Sequence, residues 1–445
     1  MDCTIEYFGS AFLDAALESG AFHLKSFPAK SYNICMRKTK TWQGSSKRHK
    51  NTAFFLFVFL GMLSAFGPFV TDMYLPSLPA MASYFTTGPS MVQLGLTFSM
   101  LGLAAGQIIF GPLSDKYGRR APLLVSMALY LLATLACIWS PTIKIFVCLR
   151  FIQGIAAAGG IVISRSIATD KFKGKNLTKA LAIIAAINGM APIAAPVIGG
   201  SILQVSTWKG IFAVLFVLGI ILTGACLYFN ESLSKTKRSR VPLIKTLGLF
   251  KTVLRKRKYV FCVLQLAFAM AILFSYIAAS PFIIQEHYGY SAFAFSLLFA
   301  INAVALGVGT TMPVRFKQPE HCISLSCLGM LLFSVLTALA LWLQTPLAVF
   351  EILLIALLFT TGMSFTATTA LAMEEAREQA GTASALIGAA GFLLGSFVSP
   401  IVGLGNILIA TGLTLMACAL GAGICWILAL RSAQPAGLPQ GSPAA

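Results

Sequence analysis

The chain has 445 residues, 57% of them hydrophobic and only 11% charged, with a mean hydropathy of +0.83 and a formal net charge of +19. A soluble domain carries about 25% charged residues, so this apolar excess is too large for one buried core and has to face lipid. The high positive charge would suit nucleic acid, but its distribution along the chain argues against that partner and for a membrane topology, as follows.

Residues 1–50 are polar, basic and irregular, and hold no apolar stretch of about 7–15 residues before a small-residue cleavage site, so they do not form a signal peptide. Met36 opens a basic run to Lys50, and the first 35 residues read as an extended or misassigned start. Twelve apolar spans follow, each of roughly the 20 residues that cross ~30 Å of hydrocarbon as a helix. The first six are predicted at 52–76, 90–111, 121–140, 143–169, 176–204 and 208–229. The second six are predicted at 259–283, 291–312, 321–343, 346–371, 380–403 and 406–430. The division is therefore a basic tail (1–50), a six-helix half (51–229), a basic linker (230–258), a second half (259–430) and a Pro/Gly/Ala tail (431–445) expected to be disordered. In such two-half transporters the substrate site lies between the halves near mid-membrane.

Of the 33 Lys and Arg, eight fall in 1–50, three in 112–121, four in 170–179, ten in 230–258, two in 313–320, one in 373–379 and one at Arg431. The intervening loops hold only Lys144 and Lys209, and Arg150 and Arg165 lie within spans. Positive charge on alternate loops puts both termini in the cytoplasm.

The loop Gly111–Arg120, GPLSDKYGRR, joins the second and third spans. Gly111 and Pro112 are expected to end the first of these helices, and Gly118 to let the backbone reverse. Asp115 and Arg119 are four apart and close enough to pair. Asp170, at the end of the fourth span, can reach Arg119 and complete a charge cluster that favours one gate state, with Arg120 beside it. The bland alternative is an ordinary hairpin held by positive charge.

A charge inside a span costs roughly 2.5–3.5 kcal/mol on insertion scales, so each one needs a reason. Asp72 lies about eight residues past the centre of the first span, and Arg150 about six from the centre of the fourth, both some 10 Å from the midplane on one side. They are placed to meet, directly or through water. An acid that trades between an Arg and a proton is a minimal device for proton coupling. The alternative is that Asp72 caps or snorkels at a helix end, as Tyr74, Pro76 and Pro79 would suit. Gly154, Ala157, Ala158 and Gly159 give the fourth span a face for close helix contact. In the fifth, Pro192, Pro196, Gly199 and Gly200 bend the helix and let it pack tightly. The sparse polar residues Tyr74, Gln107, Gln153, Asn188, Gln265, Tyr276 and Asn302 either line a cavity or bond between helices. Glu351, one turn inside the tenth span, is expected to snorkel. The ten Cys contain no C-x-x-C, and the His at 23, 49, 287 and 321 form no cluster, so neither a metal nor a cofactor is expected. An enzyme would have to use Asp115, Asp170 or the Glu374-Glu375-Glu378 group, and none of these has metal-ligand spacing with a His.

Several stretches together resemble the Bcr/CflA-type drug efflux branch of the major facilitator superfamily. They are Asp72-Met-Tyr-Leu-Pro-Ser-Leu-Pro79, the loop Gly111–Arg120, Leu149-Arg150-Phe-Ile-Gln153-Gly154, Ser280-Pro281-Phe282 with Tyr288-Gly289, and Ala380-Gly-Thr-Ala-Ser-Ala-Leu386. The resemblance covers about residues 51–430. It implies an all-α protein of twelve transmembrane helices in two halves, acting in the bacterial inner membrane as a monomeric antiporter of protons and small amphipathic compounds. By the same match Asp72 and Arg150 are coupling residues, Asp115 and Arg119 the gate pair, and Pro196, Gly199 and Gly200 part of an antiporter helix motif. Ala195 stands where that motif usually has Gly, and the 313–320 loop is a worn counterpart of Gly111–Arg120. A proton symporter importing a metabolite would have the same fold, so direction and substrate stay open.

Overall fold

The computed structural model describes residues 52–173, 175–234, Thr236, Arg238, 252–376 and 380–433. Most of the two predicted tails and of the predicted linker, together with Glu378, lie outside these residues. Within them are twelve long helices: α1 (Ala53–Asp72), α2 (Pro89–Tyr117), α3 (Arg120–Ile138), α4 (Ile143–Lys171), α5 (Lys175–Leu203), α6 (Trp208–Tyr228), α7 (Arg257–Phe282), α8 (Ala292–Thr311), α9 (Pro319–Trp342), α10 (Leu347–Glu375), α11 (Ala380–Ile401) and α12 (Ile407–Ala433). Ten of them are long and apolar enough over their described residues to cross a membrane, while α5 and α11 contribute the shorter apolar stretches Gly189–Leu203 and Leu386–Ile401. Bulky side chains such as Val125, Leu132, Ile221, Ile352 and Leu420 point outward, as lipid contact requires.

Two helix ends differ from the sequence expectation, both through proline. α1 ends at Asp72, but the chain continues as a tight turn over Leu75–Ser77 and a short helix over Leu78–Tyr84. Pro76 and Pro79 each stand in a first turn, where the missing N–H leaves no bond unmade, so they restart the helix rather than stop it. Likewise α2 runs through Gly111 and Pro112 to Tyr117. The ten-residue loop expected there shrinks to Gly118 and Arg119, and Asp115 is a helical residue.

The packing repeats with an offset of six helices. In the first half α1 packs on α4 and α5, α2 on α4, and α3 on α4 and α6; in the second α7 packs on α10 and α11, α8 on α10, and α9 on α10 and α12. The halves meet through α2 against α11 and α5 against α8. The closest crossings repeat as well. A Cβ on Gly102 or Gly154 would strike the backbone at Phe151 or Ser99, locking α2 to α4; Gly309 and Gly362 stand likewise against the backbone at Phe359 and Leu306, locking α8 to α10. Small residues give membrane helices this close approach where lipid supplies no hydrophobic drive.

Substituting Val for Gly154 or Gly362 forces two backbones apart and should destabilise the bundle by roughly 1–3 kcal/mol, the usual range for overpacking. Gly224, with open space around its Cα, is the control. Thermal unfolding in detergent should show Gly154→Val and Gly362→Val melting earlier than Gly224→Val; equal midpoints would refute the crossings.

Candidate functional site

Two polar groups flank the place where the first half meets the second, and a third closes the opposite end of the first half.

Arg150 is the centre of the first group. It is fully buried on α4. Its guanidinium lies over the Tyr74 ring at 4.3 Å and beside Phe212 at 5.7 Å. Nη2 donates to the carbonyl of Val70 at 2.9 Å, and Nη1 donates to Gln153 Oε1. Gln153 Nε2 in turn donates to Thr134 Oγ1 at 2.8 Å, and Thr134 donates to Tyr130 O. Gln153 therefore orients the arginine through α3. Phe146, Trp208 and Phe212 pack edge to face on one another, so the Phe212 ring beside the cation belongs to an aromatic cluster, the low-polarity setting where cation–π attraction is strongest.

Asp72 is buried as well, at the end of α1. Among the described residues it makes no ion pair with Arg150 within 4 Å, contrary to the direct contact that equal depth suggested. The helix explains this. Val70 and Tyr74, which both meet the arginine, are four residues apart and share a face, whereas residue 72 is turned about 200° from residue 70. Asp72 is thus turned away from the face that meets Arg150, yet stays within electrostatic reach of both Arg150 and Tyr276 on α7.

Tyr276 belongs to the second group. Asn302 Nδ2 on α8 donates to Tyr276 Oη at 3.2 Å and to Glu351 Oε1 on α10 at 2.6 Å. All three side chains are buried, with Glu351 6% exposed. Glu351 therefore does not snorkel: a fixed partner one helix away holds it inside. Sequence reasoning named each residue and missed their union, because three helices converge only in the fold.

Around these groups the halves close. Ser90 Oγ donates to Pro400 O (3.0 Å), Gln93 Nε2 to Ala278 O (2.9 Å), Thr97 Oγ1 to Ser396 O (2.9 Å) and Gln285 Nε2 to Pro76 O (3.0 Å). All four lie toward the end of the bundle where α1 ends and α2 begins. Of the antiporter-motif residues, Pro192 and Pro196 sit inside α5; a Cβ on Gly199 would strike the Met73 carbonyl beside Asp72, and one on Gly200 would strike Ser296 of α8. That stretch of α5 is thus pressed between the end of α1 and the other half. Gln265 bonds Ser364 (2.7 Å) and Thr368 (2.8 Å), tying α7 to α10. Gln107 is half-buried, and the side chain of Asn188 is outside what the structure describes.

The third group lies at the other end of the first half. Arg119 Nε donates to Asp170 Oδ2 at 2.8 Å, and Nη1 donates to Asp115 Oδ1 at 2.5 Å and to Ser114 Oγ at 2.9 Å. Burial alone would push the Arg119 pKa down, but hydrogen bonds and charge from Asp170 and Asp115 outweigh it, and the pKa is raised. Glu231, unforeseen from the sequence, completes the cluster. It accepts from the backbone N–H of Arg119 (2.9 Å) and Arg120 (3.2 Å), while Ser232 Oγ donates to Asp170 (2.9 Å). The signal was available: Glu231 is the only acid in 230–258. Gly118 has φ +96°, and a Cβ there would come within 2.5 Å of Glu231 Oε2. Gly111 faces Val162 of α4, and Arg120 Nη2 donates to Leu227 O at 2.6 Å.

With this geometry in place, comparison with known proteins decides the family. The Major Facilitator Superfamily model matches residues 54–400. The chain belongs to the major facilitator superfamily. It is 40% identical over 354 residues to the "Uncharacterized MFS-type transporter YdgK" of Bacillus subtilis (strain 168), covering 78% of this chain and 87% of that one. It is 29% identical to the "Bicyclomycin resistance protein homolog" of Haemophilus influenzae, covering 80% and 90%. Among solved structures, a bacterial homologue of the lysosomal transporter Spinster, in an inward-facing conformation, aligns with a TM-score of 0.69 at 14% identity, covering 88% of this chain and all of that one. As a superfamily member with twelve helices in two halves, the protein is a multi-pass membrane transporter and not an enzyme.

The Arg119 cluster yields a stability test. Asp170→Asn leaves a buried guanidinium short of one counter-charge and should cost about 3 kcal/mol, the low end for breaking a buried pair. Gly118→Ala adds both a strained φ and a clash with Glu231. Thermal melts of the purified protein should place both variants well below wild type; a wild-type midpoint for Asp170→Asn would show that the pair does not hold this end of the bundle.

Proposed function

We propose that this protein is a proton-coupled exporter of small amphipathic compounds from the bacterial cytoplasm, working by alternating access as its two six-helix halves rock about the site between them. The observation that carries the proposal is Asp72: a buried acid without an ion-pair partner among the described residues, at the point where α1 ends, just inside the seam that joins the halves. A carboxyl in that place takes up a proton while the seam is open, carries it inside as the seam shuts, and gives it up on the opposite side when water or a cation reaches it. Arg150 supplies the cation. Deprotonated Asp72 favours an arrangement in which the end of α1 turns toward Arg150, and protonated Asp72 favours the arrangement observed. A proton or a substrate shifts this balance only by its unequal affinity for the two states.

The residues around Arg150 support the reading. Tyr74 and Gln153 hold the guanidinium without neutralising it, so its charge stays available. Relatives named for resistance to bicyclomycin and to several drugs support an exported, drug-like substrate. Positive charge on alternate loops supports cytoplasmic termini, with residues 230–258 as a cytoplasmic linker and the Arg119 cluster as the cytoplasmic gate of the first half. In this orientation the observed seam closes the periplasmic side. The protein acts as a monomer in the inner membrane.

The test uses everted membrane vesicles with an inside-acid proton gradient and a panel of phenicols, sulfonamides, bicyclomycin and organic cations. At least one compound should collapse the gradient in wild type and none in Asp72→Asn, with both proteins inserted at equal levels. Collapse that persists in Asp72→Asn would overturn the coupling assignment. Silence toward the whole panel would redirect the search to metabolites.

A further inference from the structure

We propose that Glu351 is a second proton-binding carboxyl, held as the neutral acid in the conformation seen here, with Asn302 and Tyr276 as its hydrogen-bonding seat. The proposal stands on geometry. Glu351 is buried within α10 and has no Lys, Arg or His within ion-pairing distance among the described residues. A carboxylate offers about four acceptor positions, yet Glu351 receives one hydrogen bond, from Asn302, and its Oε2 has no partner. A charged carboxylate so placed would be largely unsatisfied, which burial makes expensive.

The distances favour the acid. The Asn302–Glu351 separation of 2.6 Å is short for N–H···O and ordinary for O–H···O. The two ends of an amide exchange by a half-turn of its terminal torsion. With the Asn302 oxygen on this side, the Glu351 hydroxyl donates to it at 2.6 Å and the Tyr276 phenol at 3.2 Å. Both lone pairs of the amide oxygen are then used, and both donors are satisfied. As placed, the other amide end, Asn302 Oδ1, has no partner among the described residues.

The surroundings contain nothing that would hold the charge instead. From α7 the titratable group facing Glu351 is Tyr276, and from the turn after α7 it is Tyr288, whose hydroxyl donates to Thr345 O at 2.9 Å and whose ring packs on Phe350. α8 carries no titratable side chain between Ala292 and Thr311, and α11 none between Ala380 and Ile401. The ionisable residues of α9 (Glu320, His321, Cys322 and Cys327) lie in the first half of that helix, whereas Thr337 lies toward the end nearer Glu351. A small cavity bounded by Tyr276, Ser280, Phe350 and Thr411 adjoins the seat, and the Thr411 hydroxyl has no hydrogen-bond partner among the described residues. Tyr276 is also within electrostatic reach of Asp72. The two carboxyls, one per half, are thus both within electrostatic reach of one phenol, so opening the seam changes the surroundings of both.

The consequence is a transporter with two exchangeable protons. The test is infrared spectroscopy of the full-length protein in lipid, following the C=O stretch of protonated carboxylic acids through steps of pH, with proton uptake counted by a soluble indicator. Wild type should show protonated-acid absorption at neutral pH containing a component that Glu351→Gln removes and Asp72→Asn leaves in place. Alkalinisation should release one proton fewer per chain from Glu351→Gln than from wild type. Asn302→Leu, which keeps Glu351 but removes its seat, should shift the band to higher frequency, and it decides the matter if Glu351→Gln does not fold. A neutral-pH band unaffected by Glu351→Gln, no frequency shift in Asn302→Leu, or equal proton release would each overturn the proposal. The band does not depend on any transported compound, so a vesicle assay silent for every drug would count against the exporter reading while leaving this site standing.

Discussion

A guanidinium that lies wholly inside the first helical half, with no carboxylate against it, is the constraint on which much of this structure turns. Arg150 cannot shed its proton as a buried Lys or His can, so the fold has to satisfy it. It does so with a carbonyl of α1, an amide fixed by α3, and aromatic faces from Tyr74 and Phe212. Four helices are thereby tied to one cation. Because none of these partners carries a full negative charge, the charge is contained but not cancelled.

The two halves use one packing plan and different chemistry. Glycine crossings lock α2 to α4 and α8 to α10 in equivalent places. Yet the first half encloses a cation and the second an acid seated on an amide. Rigid, closely crossed pairs suit a molecule whose halves move as bodies, because motion is then confined to the surfaces between them. Among the described residues the side-chain bonds across those surfaces run from Ser90, Gln93, Thr97 and Gln285, all to backbone carbonyls. Each such bond contributes about 1 kcal/mol, a scale suited to a seam that opens and closes.

At the other end of the first half, the Arg119 cluster joins α2, α3, α4 and the start of the linker through Glu231 and Ser232. The turn between α2 and α3 is short, and its glycine faces the Glu231 carboxylate so closely that no side chain fits. The link between half and linker therefore depends on the geometry of one residue, Gly118, and its positive φ.

Much of this was legible from the sequence because the bilayer reduces the problem to length and sign. Runs of about 20 apolar residues must be helices, and Lys and Arg collect on alternate loops. The span predicted at 143–169 and the helix Ile143–Lys171 agree for that reason, as does the pairing of Arg119 with Asp115 and Asp170. Proline was misread at Pro112, since a tolerated internal proline looks in sequence like a terminus, whereas the terminus that Pro76 and Pro79 suggested is present, with α1 ending at Asp72 before new short helices begin. What only the tertiary structure decided is direction around each helix. Depth follows from counting residues, so Asp72 and Arg150 could be placed at one level; whether they face each other depends on the rotation of α1 against α4, which packing sets. The meeting of Tyr276, Asn302 and Glu351 was hidden for the same reason, because it requires three helices far apart in sequence to turn one face each toward a common point.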